Sequence, residues 1–328
     1  MLREIAYMEV AANILFNVIG MLIVAIVVLG IAGIAAALGA SFKVFFINGL
    51  WALCIVPVLW CYGAFIERNQ YKVNPMTVTS DKIPDSFNNY KIVHISDLHL
   101  ASFKKRKFFL QNIVDEINRQ NADIIVFTGD LISFVPEEID ALDSILSQMK
   151  AKEGIFSVLG NHDYSIYTKL TETERLEKLE LLKQKQCDLG WHLLLNENRT
   201  IEHEGEKISL IGVENTSTHE HLPSKGDLNK ALQSAEGSYK ILLTHDPTHW
   251  RKEVVGHTDI DLTLSGHTHS MQLSILGWSP STLLYKENKG LYTLNDQVIH
   301  VNIGLGETVI RSRIGAKPEI TLLTLHKN

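Results

Sequence analysis

The chain has 328 residues, enough for one large domain or two ordinary ones. Charged residues make up 21% and hydrophobic residues 45%, which excludes a disordered or collagen-like chain. With 31 Lys plus Arg against 37 Asp plus Glu and a net charge of -6, it offers no basic footprint for a nucleic-acid backbone.

Charge is missing from two stretches near the start. Residues 10–42 hold no charged group in 33 positions, and residues 44–66 hold none in 23. Each exceeds the roughly 18 apolar residues that suggest a spanning helix. As one helix the first would reach about 50 Å against a hydrocarbon core of ~30 Å, so one end is expected outside the lipid. Trp51, Trp60 and Tyr62 suit the membrane–water interface. A cleaved signal peptide is the competing reading, with Gly39-Ala40-Ser41 as the small-residue stretch. The length of the apolar region, the lack of a positive excess before it and the second apolar run favour a hairpin. Residues 1–72 are therefore read as a membrane anchor of two transmembrane helices. Both ends of a hairpin share one side of the bilayer. Arg3, Arg68 and Lys72 there oppose only Lys43, which favours a cytoplasmic soluble part. Cys54 and Cys61 lie in the second apolar run and Cys187 stands alone, so the soluble part has no disulfide framework.

Residues 73–90 are polar and turn-rich and read as a linker or lead-in strand, a short tether with some extended structure. Residues 91–328 then alternate short apolar runs with helix-period segments. The runs are 91–96, 123–128, 155–159, 208–213, 240–244, 259–264, 299–303 and 319–325. Helices are expected around 106–119, 137–149 and 173–185. The alternation predicts an α/β layer architecture with short, buried strands.

Chemistry-bearing residues follow the strands. Asp97-Leu98-His99 follows the first run, Gly129-Asp130 the second and Gly160-Asn161-His162-Asp163 the third. His245-Asp246 follows 240–244, and Gly266-His267-Thr268-His269 follows 259–264. Sites in open α/β sheets collect at the carboxyl ends of strands, where the loops converge. Carboxylate, amide and imidazole without cysteine suit divalent ions such as Mn, Fe or Zn.

This ordered set resembles the calcineurin-like metallophosphoesterase superfamily, in particular its bacterial membrane-anchored branch. The resemblance covers residues 91–328. It implies a four-layer α-β-β-α sandwich preceded by the transmembrane helices. It also implies two metal ions: one held by Asp97, His99 and His269, the other by Asn161, His245 and His267, with Asp130 bridging. A shared carboxylate relieves the repulsion between two nearby cations. Such a pair lowers the pKa of water and clamps an in-line displacement at phosphorus. His162 would protonate the leaving oxygen, and Asp163 would orient or charge that imidazole. The branch often has Gly where this chain has Ser270, which is expected to alter the loop on the substrate side.

The function implied is a membrane-anchored, metal-dependent hydrolase of a phosphodiester or pyrophosphate bond. The anchor favours a lipid-linked substrate of the UDP-diacylglucosamine type, at a bacterial inner membrane with the catalytic domain cytoplasmic. A non-catalytic metal-binding scaffold and a protein phosphatase are the alternatives; completeness of the ligand set argues against the first. Residues 10–66 are expected to anchor the chain without joining the chemistry. His94, Trp250 and Trp278 are read as packing residues, and His219, His221 and His249 lie close enough to the motifs to be substrate contacts.

Overall fold

The structure is a computed structural model and describes residues 2–328, the side chains of residues 2–6 and 8 excepted. Arg3 of the orientation count therefore lies outside the described side chains.

Helix α1 (Leu2–Ala37) runs into a short turn, and α2 (Phe42–Gly49) and α3 (Ile55–Phe65) return alongside it, joined by a 3-10 turn. Two stretches here, Glu9–Ala37 and Phe42–Asn69, are long and apolar enough to cross a membrane. Small residues set the helix contact. A side chain at Gly20 would collide with Val56, and one at Gly49 with Val28. The apolar side chains of the pair, such as Ile26, Ile34 and Val58, point outward and are exposed.

Two six-stranded sheets form the rest. The first has the order β1 (Lys72–Thr79), β12 (Glu319–His326), β2 (Lys91–Ile95), β3 (Ile124–Phe127), β4 (Ile155–Ser157), β5 (His192–Leu193). The second has the order β10 (Gly290–Leu294), β11 (Gln297–Val301), β9 (Leu262–Ser265), β8 (Tyr239–Leu243), β7 (Glu206–Gly212), β6 (Glu197–His203). Strands β2 to β5 are parallel, as are β7, β8, β9 and β11. Parallel strands buried on both faces need continuous apolar runs, which β2, β3 and β8 have.

Three cores separate four layers. Ile92, Ile124, Leu210, Ile241 and Leu264 fill the space between the sheets. Helices α4 (Lys107–Arg119) and α6 (Glu172–Asp188) cover the first sheet. In α4 the stripe Phe109, Leu110, Ile113, Val114 and Ile117 recurs at helical spacing and is buried. Thr171 starts α6 with a capping box to Glu174. Outside the second sheet, α7 (Leu228–Ala231) and a π-helical turn, Trp250–Val254, bury Leu228, Ala231, Trp250 and Val254. The expected four-layer sandwich is the fold found.

Of the two readings of 73–90, the structure has the lead-in strand: residues 72–79 are β1, an edge strand parallel to β12, and Ile83, Phe87 and Tyr90 after it fill the core between the sheets. One expected segment differs. The helix expected over 137–149 is broken into a 3-10 turn, Pro136–Glu138, and one turn of helix, α5 (Asp143–Leu146). The buried Glu138 carboxylate accepts from the backbone N–H groups of Ala101, Ser133, Phe134 and Val135, so it ties down the loop before it instead of starting a regular helix. Burial pushes its carboxyl above the usual range.

The anchor is docked on the sandwich. Glu67 accepts from Gly315 N–H through both oxygens at 3.0 Å. Arg68 and Arg106 share the buried Glu307 at 2.7 and 2.8 Å. Asn13 Oδ1 accepts from Trp60 Nε1 and from Arg311 N–H, each at 3.2 Å. Arg311 also pairs with Glu9. Residues 306–315 are thus the surface on which both ends of the hairpin rest.

Candidate metal centre

The motif loops leave β2, β3 and β4 of one sheet and β8 and β9 of the other, and all converge at the carboxyl ends. Backbone bonds hold the loops in register. Asp97 N–H donates to Gly129 O at 2.9 Å, His99 N–H to Asp130 O at 3.1 Å, and Gly266 N–H to His245 O at 2.9 Å. The close approach requires glycine twice. A side chain at Gly160 would collide with Asp130, and one at Gly266 with Asp97.

Five of the proposed ligand residues, Asp97, His99, Asp130, His267 and His269, have φ between 43° and 74°. The left-handed region is uncommon for any residue but glycine, and such strain clusters at functional sites. Ser270 follows with φ 49°, a backbone that glycine prefers.

The proposed ligand atoms form two groups, and His162 makes a third with His99 and Asp130. Asp97, His99 and His269 present atoms within 4.8 Å of one another, and so do Asp130, His245 and His267. Asp130 Oδ2 lies between them, 3.5 Å from His99 Nε2 and 3.2 Å from His245 Nε2. His269 Nε2 is 3.2 Å from Asp97 Oδ1, and His267 Nδ1 is 3.2 Å from His245 Nε2. Asn161 donates its Nδ2 to Tyr167 OH at 3.0 Å, and its buried Oδ1 has no partner among the described residues. Asp97 Oδ1 is likewise buried, and the imidazole beside it, His269 Nε2 at 3.2 Å, is itself a proposed ligand. Orphaned oxygens in a closed cluster of imidazoles are costly unless a cation completes them, so the donor set fits two divalent ions.

Neighbours aim the rings. His245 Nδ1 donates to Thr128 O at 2.7 Å, which leaves Nε2 for the centre. His267 Nε2 meets Tyr285 OH at 3.0 Å, so Nδ1 faces inward. Arg313, fully buried, lies 3.2 Å from His269 Nδ1 and donates to the carbonyls of Ile303, Gly306 and Ala316. Orienting contacts of this kind set ligand basicity.

The field of the site calls for positive charge. Burial works against a charged His245, yet the Asp130 and Asp97 carboxylates outweigh it and push its pKa up to about 10. Burial also opposes ionisation of Asp97, but His269 beside it holds the carboxyl below the usual range. Burial depresses His267 and His99.

His162 is placed beside this cluster, its ring edge-on to His99 with centroids 4.6 Å apart and 4.2 Å from the Tyr167 ring. Burial lowers its pKa. Asp163 does not do what the sequence suggested. Among the described residues its carboxylate makes no bond to the imidazole; it accepts from the N–H groups of Asp130, Leu131, Ile132 and Gly160. The 3-10 turn His162–Tyr164 turns the adjacent side chains apart, and four buried donors claim the carboxylate. Burial and the neighbouring Asp130 push its pKa up to about 7, although the backbone donors act the other way. The imidazole is oriented by Ser133 O, 2.8 Å from Nδ1.

Other expected residues separate. His249 is buried and bonds Thr244 Oγ1 at 3.0 Å. His94 is in β2 but pairs with His300, Nδ1 to Nδ1 at 2.9 Å, so it is a buried polar contact between the sheets. Trp250 is in the core and Trp278 is on the surface. His219 lies edge-on to Tyr285, 6.0 Å between ring centroids. Sequence reasoning missed Ser133, Tyr167, Tyr285 and Arg313. Their signal is spatial, since none stands in a metal-binding motif.

Several known proteins are similar to this chain. The Bacillus subtilis metallophosphoesterase YkoQ is 29% identical over 282 residues, 82% of this chain and 95% of its own. A Danio rerio transmembrane protein with metallophosphoesterase domain is 33% identical over 285 residues, 84% of this chain and 62% of its own. A solved dimetal phosphatase from Danio rerio is similar at a TM-score of 0.43 and 12% identity, over 69% of this chain and 91% of that one. The calcineurin-like phosphoesterase family model matches residues 90–271, which hold every motif of the centre, so the chain belongs to that family and is a metal-dependent phosphoester hydrolase.

Proposed function

We propose that the chain is a membrane-anchored, two-metal phosphoesterase that cleaves a phosphodiester or pyrophosphate bond in a lipid-linked substrate, such as a UDP-diacylglucosamine-type molecule. One observation carries the lipid part. A cavity of about 440 Å³ is lined by His162 and Tyr167 of the centre and by Glu9 and Arg311 of the anchor contact. An amphiphile leaving the bilayer along α1 would meet the centre there. A second concavity, walled by Glu153, Phe156, His192 and Arg199, holds none of the motif residues.

In this reading Asp97, His99 and His269 would hold one divalent ion, Asn161, His245 and His267 would hold the other, and Asp130 would serve both. When bound, such ions acidify water and neutralise charge in an in-line displacement at phosphorus. The chain's own part is to position and to move a proton. Because Ser133 O can only accept, His162 carries a proton on Nδ1; as imidazolium it would carry a second on Nε2, pass that one to the leaving oxygen as the P–O bond breaks, and be left as the neutral Nδ1–H tautomer. Asp163 fixes the backbone of the two loops that carry Asp130 and Asn161. Residues 1–72 are the membrane anchor, with the apolar stretches in Glu9–Ala37 and Phe42–Asn69 crossing the bilayer, and residues 73–90 belong to the folded catalytic part. Arg68 and Lys72 on the domain side against Lys43 at the hairpin tip support a cytoplasmic domain.

The test is a hydrolysis screen of the full chain in lipid vesicles with Mn, Fe or Zn. A soluble chromogenic diester, a monoester, a phosphopeptide and a nucleotide-diphosphate lipid are compared. Turnover of diester and pyrophosphate, with the lipid preferred, is expected. Preference for the phosphopeptide would make it a protein phosphatase, and no turnover with any metal would leave a scaffold.

A further inference from the structure

We propose that the loop running from Met271 to Leu284 is a second membrane contact, seated in the interfacial layer of the bilayer beside the anchor. Ile275, Leu276, Trp278, Leu283 and Leu284 are all exposed, and Leu276 is as open as a free side chain at 104%. A run of large apolar side chains facing water within ten residues marks an interaction surface. Ile275 and Trp278 exchange backbone bonds at 2.8 and 3.0 Å around Leu276 and Gly277, whose φ values are 50° and 87°. This tight turn holds Leu276 at the tip. A tryptophan next to a leucine tip suits the headgroup layer, where an amphipathic ring has one apolar and one wet end.

The loop is rigidly tied to the anchor. Ser274 N–H donates to Ile314 O at 2.7 Å, and Ile314 N–H to Gln272 O at 2.9 Å. Gln272 donates its side-chain amide to Ser312 O at 2.9 Å and accepts from Thr308 N–H at 2.9 Å. Ser312 Oγ in turn donates to Trp60 O at 3.2 Å, on the helix that leads out of the apolar hairpin. Two hydrogen bonds, through the single residue Ser312, therefore link Gln272 at the base of the loop to Trp60. This continuity with the anchor commits the surface to a bilayer and not to a protein partner. Charge agrees. Lys104, Lys105 and Lys107 are exposed, with Phe108 beside them at 79%, and Arg106 among them bonds Arg68 O at 2.8 Å where the anchor ends. Basic side chains at that level suit anionic headgroups. The loop begins two residues after His269, so its seating would fix the height of the centre above the bilayer.

The proposal rests on a membrane-spanning anchor but not on the substrate. The full chain with Cys54, Cys61 and Cys187 changed to Ala is reconstituted in phosphatidylcholine–phosphatidylglycerol vesicles. An environment-sensitive fluorophore is attached at Leu276→Cys, at Leu283→Cys, or at Glu204→Cys in the β6–β7 turn as control. Quenching by acyl-chain nitroxide lipids is then measured. Labels at 276 and 283 should be blue-shifted and quenched several-fold more strongly than the label at 204. Two loop positions guard against one variant that folds poorly, and turnover of a soluble diester reports that each is intact. Quenching at both loop positions no stronger than at 204, in proteins that hydrolyse the soluble diester, would overturn the proposal. No lipid substrate enters the measurement, so failure here and failure of the substrate reading are distinct.

Discussion

His162 Nδ1 donates to the carbonyl oxygen of Ser133 at 2.8 Å, which leaves Nε2 as the ring's free nitrogen. That bond fixes the tautomer a proton donor to the leaving group needs once Nε2 is protonated. We therefore expect His162→Ala to keep its metal content and to lose turnover by on the order of a hundredfold or more. Metal analysis together with kcat checks both halves.

Asp130 should give the opposite pattern. Its Oδ2 stands 3.2 Å from His245 Nε2 and 3.5 Å from His99 Nε2, between the two ligand groups. Asp130→Asn keeps the shape but removes the charge that offsets two cations. Metal content after dialysis is expected to fall below that of the wild type, with activity partly restored by excess metal. Full metal retention in Asp130→Asn would reassign the bridging role.

Asp163 is expected to act through the backbone. Asp163→Ala would orphan four buried N–H groups, each costing about 1–3 kcal/mol when unsatisfied. The melting temperature should drop and metal affinity should fall by roughly ten- to a hundredfold, as when a partner that orients a ligand is lost. The pH profile of the metal-saturated variant should keep the wild-type shape, because Asp163 does not touch the imidazole.

The strand-end motifs were legible in sequence because each sits directly after a run that is buried on both faces, such as Lys91–Ile95 or Leu262–Ser265. Adjacency misled at Asp163, since a carboxylate next to an imidazole in sequence is drawn instead to the N–H groups of Asp130 and Gly160. Ser133 acts through a carbonyl, which no residue type reveals. Arg313 reaches His269 from 44 residues away, and its burial depends on three carbonyls. The docking of the anchor on residues 306–315 was invisible for the same reason. It is made of scattered long-range bonds from Glu9, Asn13, Glu67 and Arg68, and these leave no periodic trace.

The histidine pair between the sheets gives a pH dependence apart from the metal ligands. His94 and His300 share a proton-bearing contact at 2.9 Å in a buried setting. Burial lowers the pKa of His300 from 6.5 to about 3 and lowers His94 as well. Each folded pKa lies below the unfolded value, so the unfolded chain binds more protons at mildly acid pH. The stability from the neutral pair is complete above about pH 6.5 and is lost as pH falls. At pH 5 the loss from His300 is about 2 kcal/mol. His300→Gln should shrink the drop in melting temperature between pH 7 and pH 5. An unchanged drop in that variant would place the acid sensitivity elsewhere.

The contact between Glu9 and Arg311 should separate membrane substrates from soluble ones. Arg311 Nε donates to Glu9 Oε2 at 2.9 Å, the other arm of the guanidinium pairs with Oε1, and both residues line the cavity that reaches His162. The pair is partly exposed, so its worth in stability is about 1 kcal/mol or less. Its position matters more. It fixes the first turns of α1 against the segment that also holds Trp60 and Asn13, and so sets the mouth of the cavity on the membrane side. We expect Glu9→Ala and Arg311→Ala each to leave turnover of a soluble diester within about twofold, because neither is a ligand or a proton donor. Each should lower the rate on a lipid-linked diester in vesicles by a larger factor, seen in KM more than in kcat. The double variant should lose little more than either single one, because residues acting through one contact are not additive. The measurement is a paired assay of four proteins on both substrates. An equal loss on the two substrates would mean that the contact supports the catalytic fold and not the path from the bilayer. No loss on either would remove the cavity from the substrate's route.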